Sequence, residues 1–238
     1  RPLTVLISGG SSALVTLPIE PVTLDDLRVI TRVIMAAGLP IRRLNTVRRH
    51  LEQLKGGGLA LRLRGVPVVG LVLSDVVDGG LEDVASGPLS PDPSTRHDAE
   101  LVLEAADVEE HDPGAYARAM RVLRDEHAET PKPGDPQLAH ARVHVIGDHQ
   151  IARRAAVREL RRLGYAPVFE VPAAVTGEAG DAGKALVQAA VGDMGANPAP
   201  FAIVASGETT VTLGDHSGFG GRNQELALAA ALELDRLR

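Results

Sequence analysis

Residues 143–163, VHVIGDHQIARRAAVRELRRL, decide the fold class. Val143–Ile146 is a short apolar run of strand type, and Gly147 turns the chain. Asp148 has the chemistry of an N-cap, because its carboxylate can accept from the free amides of a first helical turn. The spacing predicts a helix over 149–163, with Ala152, Ala156, Leu160 and Leu163 on one face. A strand that runs through a tight turn into a helix is the repeating unit of α/β proteins.

Similar units recur along the 238 residues. Leu3–Ile7, Val66–Leu73, Ala166–Val171 and Phe201–Ala205 read as further buried strands. In Leu44–Leu54 the apolar residues fall at 44, 47, 51 and 54, a helical stripe. Thr23-x-x-Asp26 and Thr95-x-x-Asp98 have capping-box spacing and predict two more helix starts. The alternation implies α/β layers with a mostly parallel sheet. Residues 128–141, AETPKPGDPQLAHA, are polar with three prolines and read as a linker, which gives expected domains 1–135 and 136–238. Asn197–Pro200 reads as a local turn before a strand. The chain enters a strand almost at Arg1 and stops at Arg238 in a helical pattern, as part of a longer protein would.

Composition excludes several classes. Lys and Arg total 25 against 31 Asp and Glu, a net charge of −6 with the cations dispersed, and two Tyr and three Phe leave little to stack on bases, so no nucleic-acid surface is expected. No cysteine is present, which removes disulfides, thiolate metal sites and a thiol nucleophile. There is no signal peptide and no apolar run near the ~18 residues of a membrane span. The expectation is a cytoplasmic protein with a small-molecule substrate and no membrane or nucleic-acid partner; a homodimer is compatible with it.

The strand ends carry the chemistry. Ile7 leads into Ser8-Gly9-Gly10-Ser11-Ser12, Leu73 into Ser74-Asp75, Ile146 into Gly147-Asp148, and Ala205 into Ser206-Gly207-Glu208-Thr209-Thr210. Ligands of open α/β sheets bind at such carboxyl ends. The last turn is expected to run into another strand and then a glycine-rich loop, Gly218-Phe219-Gly220-Gly221, before a helix opens with Arg222, Asn223, Gln224 and Glu225. Free amides, the positive end of the helix and a fixed guanidinium together suit a phosphate or carboxylate. Asn45–Gly58, NTVRRHLEQLKGGG, places Arg48, Arg49, His50 and Lys55 on the polar side of a helix that ends in glycines; without a ligand this is a solvated charged face. The loop 74–93 carries Asp75, Asp78, Glu82, Asp83 and Asp92. It reads as either a surface loop or a carrier of carboxylates for Mg²⁺, with Asp75 the candidate ligand.

Other signatures fail. Gly177–Ala185 lacks the first glycine and the Ser/Thr of a P-loop, and the glycine loop lacks the dinucleotide spacing. No H-E-x-x-H or G-x-S-x-G occurs.

Several blocks in order do carry a resemblance: SGGSSAL (8–14), LNTVRRHLEQLKGGGLA (44–60), LSDV…ASGPLSPDPST (73–95), VIGDHQIA (145–152) and SGETTVTL…GGRNQE (206–225). Over nearly its whole length the chain resembles the class II glycerate 2-kinases, whose C-terminal part is the MOFRL domain. The resemblance implies two three-layer α/β domains with Rossmann-like sheets and an active site in the cleft between them. It implies transfer of the ATP γ-phosphoryl group, with Mg²⁺, to the C2 hydroxyl of D-glycerate. By that pattern Arg222 matches a catalytic arginine. Ser8, Gly9, Gly10 and Ser11 match the loop near substrate, and Arg49 and Lys55 match basic residues of the N-x-V-R-x-H…K-G-G block. Ser206, Gly207, Glu208, Thr209, Gly220, Gly221 and Asn223 are then the expected nucleotide and phosphate contacts.

The chain departs from the pattern in places. Ser11 stands where a third glycine is usual, Asp78-Gly79-Gly80 where Gly-Asp-Asp is usual, and Asp148 where Asn is also common. The resemblance also implies an N-terminal region with a Gly-Lys-Ala block and its catalytic lysine, and a continuation into an acidic G-T-D-G block. In the implied chemistry Arg222 and the Gly220–Asn223 amides meet the transferring group, while Arg49 or Lys55 holds the glycerate carboxylate. A sugar-phosphate isomerase-like enzyme and a non-catalytic anion-binding domain share the same Ser/Gly turns and stay open as alternatives.

Overall fold

A computed structural model describes residues 1–77, 79–194, 200–213 and 218–237. Asp78, the 197–199 part of the expected turn and Arg238 lie outside them. The chain forms two compact units, Arg1–Gly147 and Asp148–Arg238.

The first unit holds a parallel sheet of β1 (Leu3–Ser8), β2 (Val68–Leu73) and β3 (Ala141–Gly147) in that order. Leu3 lies opposite Val68 and Val68 opposite Ala141. Near its carboxyl end the β2–β3 register slips between Val72 and Leu73, and Ser74 N–H then donates to Gly147 O at 2.8 Å. Parallel strands need long crossovers. The first crossover runs through α1 (Ser11–Leu14), α2 (Leu24–Ala36), α3 (Ile41–Leu51) and α4 (Gly58–Arg62). The second runs through α5 (Arg96–Ala105), α6 (Val108–His111) and α7 (Pro113–Leu123).

Both capping boxes form: Thr23 and Asp26 start α2, and Thr95 and Asp98 start α5. The main core lies between helices, where Ile30, Ile34, Leu44, Val47, Leu51, Leu103 and Leu123 are almost wholly buried. Each such side chain is worth roughly 1.5–3 kcal/mol. A smaller cluster of Ala60, Val68 and Leu89 packs α4 against the sheet.

The second unit pairs β4 (Val168–Glu170) with β5 (Ala202–Val204) in parallel, accompanied by α8 (His149–Arg162), α9 (Ala179–Met194) and α10 (Arg222–Arg236). Asp148 caps α8, its carboxylate accepting from Ile151 N–H at 2.6 Å.

Four expectations change. The Pro-rich segment is no free linker: Asp92 N–H donates to Pro131 O, Thr130 Oγ1 donates to Asp92 Oδ2, and β3 completes the first sheet. The loop after β2 is not a surface loop, because Val84, Ala85, Ser86, Leu89 and Asp92 are buried. No strand forms over 211–213 among the described residues; Thr210 makes an isolated parallel bridge to Glu178, whose carboxylate takes both the amide and the hydroxyl of Thr212. On α8 the inward residue is Val157, with Ala152, Ala156 and Leu163 exposed. The Arg153 guanidinium reaches the Val171 carbonyl and so turns that face of the helix toward the end of β4.

Candidate functional site

In the first unit the Ser8–Ser12 turn sits at the carboxyl end of β1. Gly10 takes φ +80°, which favours glycine, and Ser11 Oγ donates to Ser8 O. Gly9 lies against Asp75, and a Cβ there would fall on the carboxylate. The expected substrate turn and the expected metal ligand are therefore neighbours. Asp75 is exposed, and among the described residues no group of three His, Cys, Asp or Glu could hold a metal ion.

Beside this turn lies a cleft of about 760 Å³, lined by Ser12, Thr16, Arg28, Arg32, Arg48 and Glu52 among others. Three arginines against one carboxylate make it a cation-rich cavity for an anionic ligand. Arg48 is half-buried there, while the other two are exposed.

Arg49 and Lys55 do not lie on a solvated face. The helix stops at Leu51, so Lys55 falls outside α3. Its side chain is 1% exposed, and Nζ donates to Glu52 Oε2 at 2.6 Å, to Val15 O at 2.8 Å and to Thr16 Oγ1 at 3.4 Å. Burial pushes the Glu52 carboxyl up and the Lys55 ammonium down, and their mutual hydrogen bond opposes both shifts. Arg49 points inward as well, with Nε 2.9 Å from Asp92 Oδ1 and Nη1 donating to Glu82 O at 3.2 Å. Buried charges need such partners, and these two cations have them. His50 joins the same layer, between the Thr46 carbonyl and Glu129.

The stretch following Lys55 is clamped to the loop after β2. Gly56 N–H donates to Ser86 O at 2.9 Å, Gly57 N–H to Gly87 O at 2.7 Å and Ala60 N–H to Pro88 O at 3.2 Å. Within that loop Ala85, Ser86 and Gly87 all have positive φ, at 55°, 60° and 65°. Two consecutive non-glycine residues there are strained, a condition that clusters at functional sites.

In the second unit Arg222 is the first residue of α10, behind Gly221 as N-cap. Its Nη1 lies 2.6 Å from Glu208 Oε1, with both side chains 51% exposed. A cleft of about 740 Å³ is lined by Glu178, Thr212, Gly220, Gly221, Arg222 and Glu225 among others. Asn223 is exposed beside Arg222, whereas Thr209 is buried and Ser206 Oγ bonds His149 Nδ1 at 3.0 Å. Gly207 stands where Val175 bridges the strand end, with no room for a Cβ.

The structure brings together Ser8–Ser11 with Asp75, and Glu208 with Arg222 behind the Gly220–Gly221 turn. His149 and Ser86 are not among the expected site residues, and Arg48 is expected only as part of a charged helix face, although the arginine of the N-x-V-R-x-H pattern falls on it in Asn45-Thr46-Val47-Arg48-Arg49-His50.

Parallel sheets with serine and glycine turns at strand ends, a cation-rich cleft and a helix-borne arginine define an α/β protein whose clefts have the chemistry to take small anions. Residues 2–121 match the family described as a domain of unknown function, DUF4147, and residues 201–238 match the MOFRL family. A glycerate 2-kinase of Pyrococcus horikoshii is 39% identical over 98% of this chain and 53% of its own length. A glycerate kinase of Macaca fascicularis is 33% identical over 98% of this chain and 67% of its own. The crystal structure of a glycerate kinase from Thermotoga maritima superposes with a TM-score of 0.84 at 37% identity, covering 98% of this chain and 54% of that one. The chain belongs to the family of glycerate kinases that carry the MOFRL domain. It spans about half the length of the Pyrococcus horikoshii glycerate 2-kinase and of a D-glycerate 2-kinase of Thermotoga maritima.

Proposed function

We propose that this protein transfers the γ-phosphoryl group of ATP to the C2 hydroxyl of D-glycerate, forming 2-phosphoglycerate. The observation that carries the reading is Arg222: a half-exposed guanidinium at the first residue of a 15-residue helix, behind a glycine turn, in a chain of this family. The helix start supplies free amides and partial positive charge, and the arginine supplies a fixed cation. Glu208 holds the guanidinium at the mouth of the cleft. An arriving phosphoryl group offers a better charged acceptor, so Arg222 exchanges one partner for another. Gly220, Gly221 and Asn223 supply backbone donors to the same group, and the Ser206–Thr209 turn positions Glu208.

The acceptor acid binds in the first unit. Arg48 takes the carboxylate, because it faces the cleft while Arg49 and Lys55 are already paired. Those two hold the floor of the site: Lys55 ties Glu52 to the Val15–Thr16 turn, and Arg49 ties α3 to Asp92. The Ser8–Ser11 turn encloses the acid. Asp75 is exposed beside it and fits a Mg²⁺ that takes one or two protein carboxylates along with nucleotide phosphates. When bound, that ion neutralises phosphate charge. An ATP-consuming reaction on a small acid fits a cytoplasmic enzyme.

The test is product analysis of the intact protein with D-glycerate, ATP and Mg²⁺ by phosphorus NMR. Glycerate-dependent 2-phosphoglycerate is expected. Formation of 3-phosphoglycerate, or no glycerate-dependent ADP, overturns the proposal.

A further inference from the structure

Ser86 is wholly buried in its strained, positive-φ conformation, and its hydroxyl has two neighbours. Its Oγ donates to Asn45 Oδ1 at 3.2 Å and lies 2.7 Å from Ser12 Oγ. A hydroxyl has one proton to give. With the Asn45 amide turned so that its oxygen faces Ser86, the Ser86 proton goes to Asn45 and the Ser12 proton goes to Ser86. Ser12 lines the 760 Å³ cleft, and its hydroxyl then presents only lone pairs to a ligand.

We propose that the chain Asn45–Ser86–Ser12 fixes Ser12 as a hydrogen-bond acceptor that reads the non-reacting C3 hydroxyl of the substrate acid. This rests on the reading of that cleft as the glycerate site. Three arguments favour it. An oriented acceptor repels a carboxylate, which directs the acid group to Arg48 on the α3 side of the cleft. The chain ends on a neutral amide that takes up no proton, so it suits a hydroxyl that keeps its own and not the one being phosphorylated. The strained backbone at Ala85 and Ser86 is held by the Gly56 and Gly57 amides, which fixes the Ser86 hydroxyl in place. A site built to bond a hydroxyl discriminates against an analogue that lacks it, because the buried partners are then left unsatisfied. Ser86 is a positioning residue, acting through Ser12.

The experiment measures binding of D-glycerate and D-lactate, which lacks the C3 hydroxyl, by calorimetry on the intact protein. Wild type, Ser12→Ala, Ser86→Ala and the double variant are compared. Ser86→Ala keeps the Cβ at positive φ, so it removes the hydroxyl alone. The expected result is about tenfold preference of wild type for glycerate, loss of that preference in both single variants, and no further loss in the double. In kinetics the KM for glycerate rises while that for ATP is unchanged. A variant that is less stable yet keeps the preference overturns the proposal, as does additive loss in the double variant. Should Ser86→Ala fail to fold, the half-buried Ser12→Ala gives the same readout. A wild type that binds no glycerate overturns both this proposal and the functional reading beneath it. A wild type that phosphorylates glycerate without discriminating against lactate overturns the relay alone.

Discussion

In the proposed reaction Arg222 meets the transferring phosphoryl group, and its surroundings predict how its loss will read. Its partner Glu208 is half exposed, so removing the guanidinium leaves no buried charge behind and the fold should survive. We expect Arg222→Ala to lower kcat by ~10³-fold or more with glycerate binding intact, measured by coupled ADP release and calorimetry. Near-normal turnover would remove Arg222 from the mechanism. Arg48 and Arg49 make a sharper comparison, because they are adjacent in sequence and opposite in setting. Arg48→Met is expected to weaken glycerate binding by roughly tenfold or more at little cost in stability, since it takes away one charged contact to the acid. Arg49→Met takes the cation away from buried Asp92 and should instead cost several kcal/mol, about 3–5, in a denaturant titration. The opposite assignment would show as weakened binding in Arg49→Met with stability retained. The sequence pattern contained Arg48, but helical periodicity alone did not distinguish the arginine facing the cleft from the one buried under it. That distinction depends on Asp83 and Asp92, which arrive from a loop more than thirty residues away.

The segment from Glu52 to Ala60 shows why the glycines follow the lysine. The chain leaves α3 at Leu51, buries Lys55 against Glu52, and lets the Gly56 and Gly57 amides grip the strained 85–87 turn. Lys55→Met leaves Glu52 as a buried carboxylate without its hydrogen-bonded cation, and about 3–5 kcal/mol of stability should go with it. The double variant Glu52→Gln with Lys55→Met removes the stranded charge and should recover part of that loss, which a denaturation series on all three proteins would reveal. Equal losses in the single and double variants would mean that Glu52 is not stranded. A second element with a misleading sequence is 177–185, which resembles a phosphate loop and is not one. Gly183 sits in α9 where a Cβ would fall on the backbone of α10 at Leu226. Its role is close helix packing behind the helix that carries Arg222. Gly183→Ala should cost about 1–3 kcal/mol, as overpacking does, despite the better helix propensity of alanine. Unchanged or higher stability would show that α10 can shift freely.

Across the molecule, what was legible followed local rules, and what was not depended on distant partners. Five strands, both capping boxes and the Asp148 cap come from residues within a few positions of one another, and the parallel sense follows from the alternation of strands with helices. The layer of buried Arg49, His50 and Asp92 with half-buried Glu129 and Lys132 joins α3, the 90–95 segment and the Pro-rich stretch, so no window of sequence contains it. The same distance hid the packing of residues 128–135, whose prolines and polar residues resemble a linker until Thr130 and Pro131 are seen bonded to Asp92. That layer should govern acid stability. Burial pushes the Glu129 carboxyl up, but bonds from Lys132, the Arg96 amide and His50 outweigh burial and bring it from 4.5 down to about 2. Asp26, bonded by Arg118, is also held well below the usual carboxylate range. A carboxyl with a depressed folded-state pKa adds stability that is fully present above its unfolded value. The Glu129 share is therefore whole above 4.5 and is lost as pH falls toward about 2. Denaturation midpoints should be flat from about pH 7 to 5 as far as Glu129 is concerned and then fall steeply. Glu129→Gln should start lower, having lost its charge-assisted bonds, and decline less over the acid range because one titrating group is gone. Parallel acid curves for wild type and variant would show that the pull of Lys132 and His50 on this carboxylate does not reach the stability of the fold.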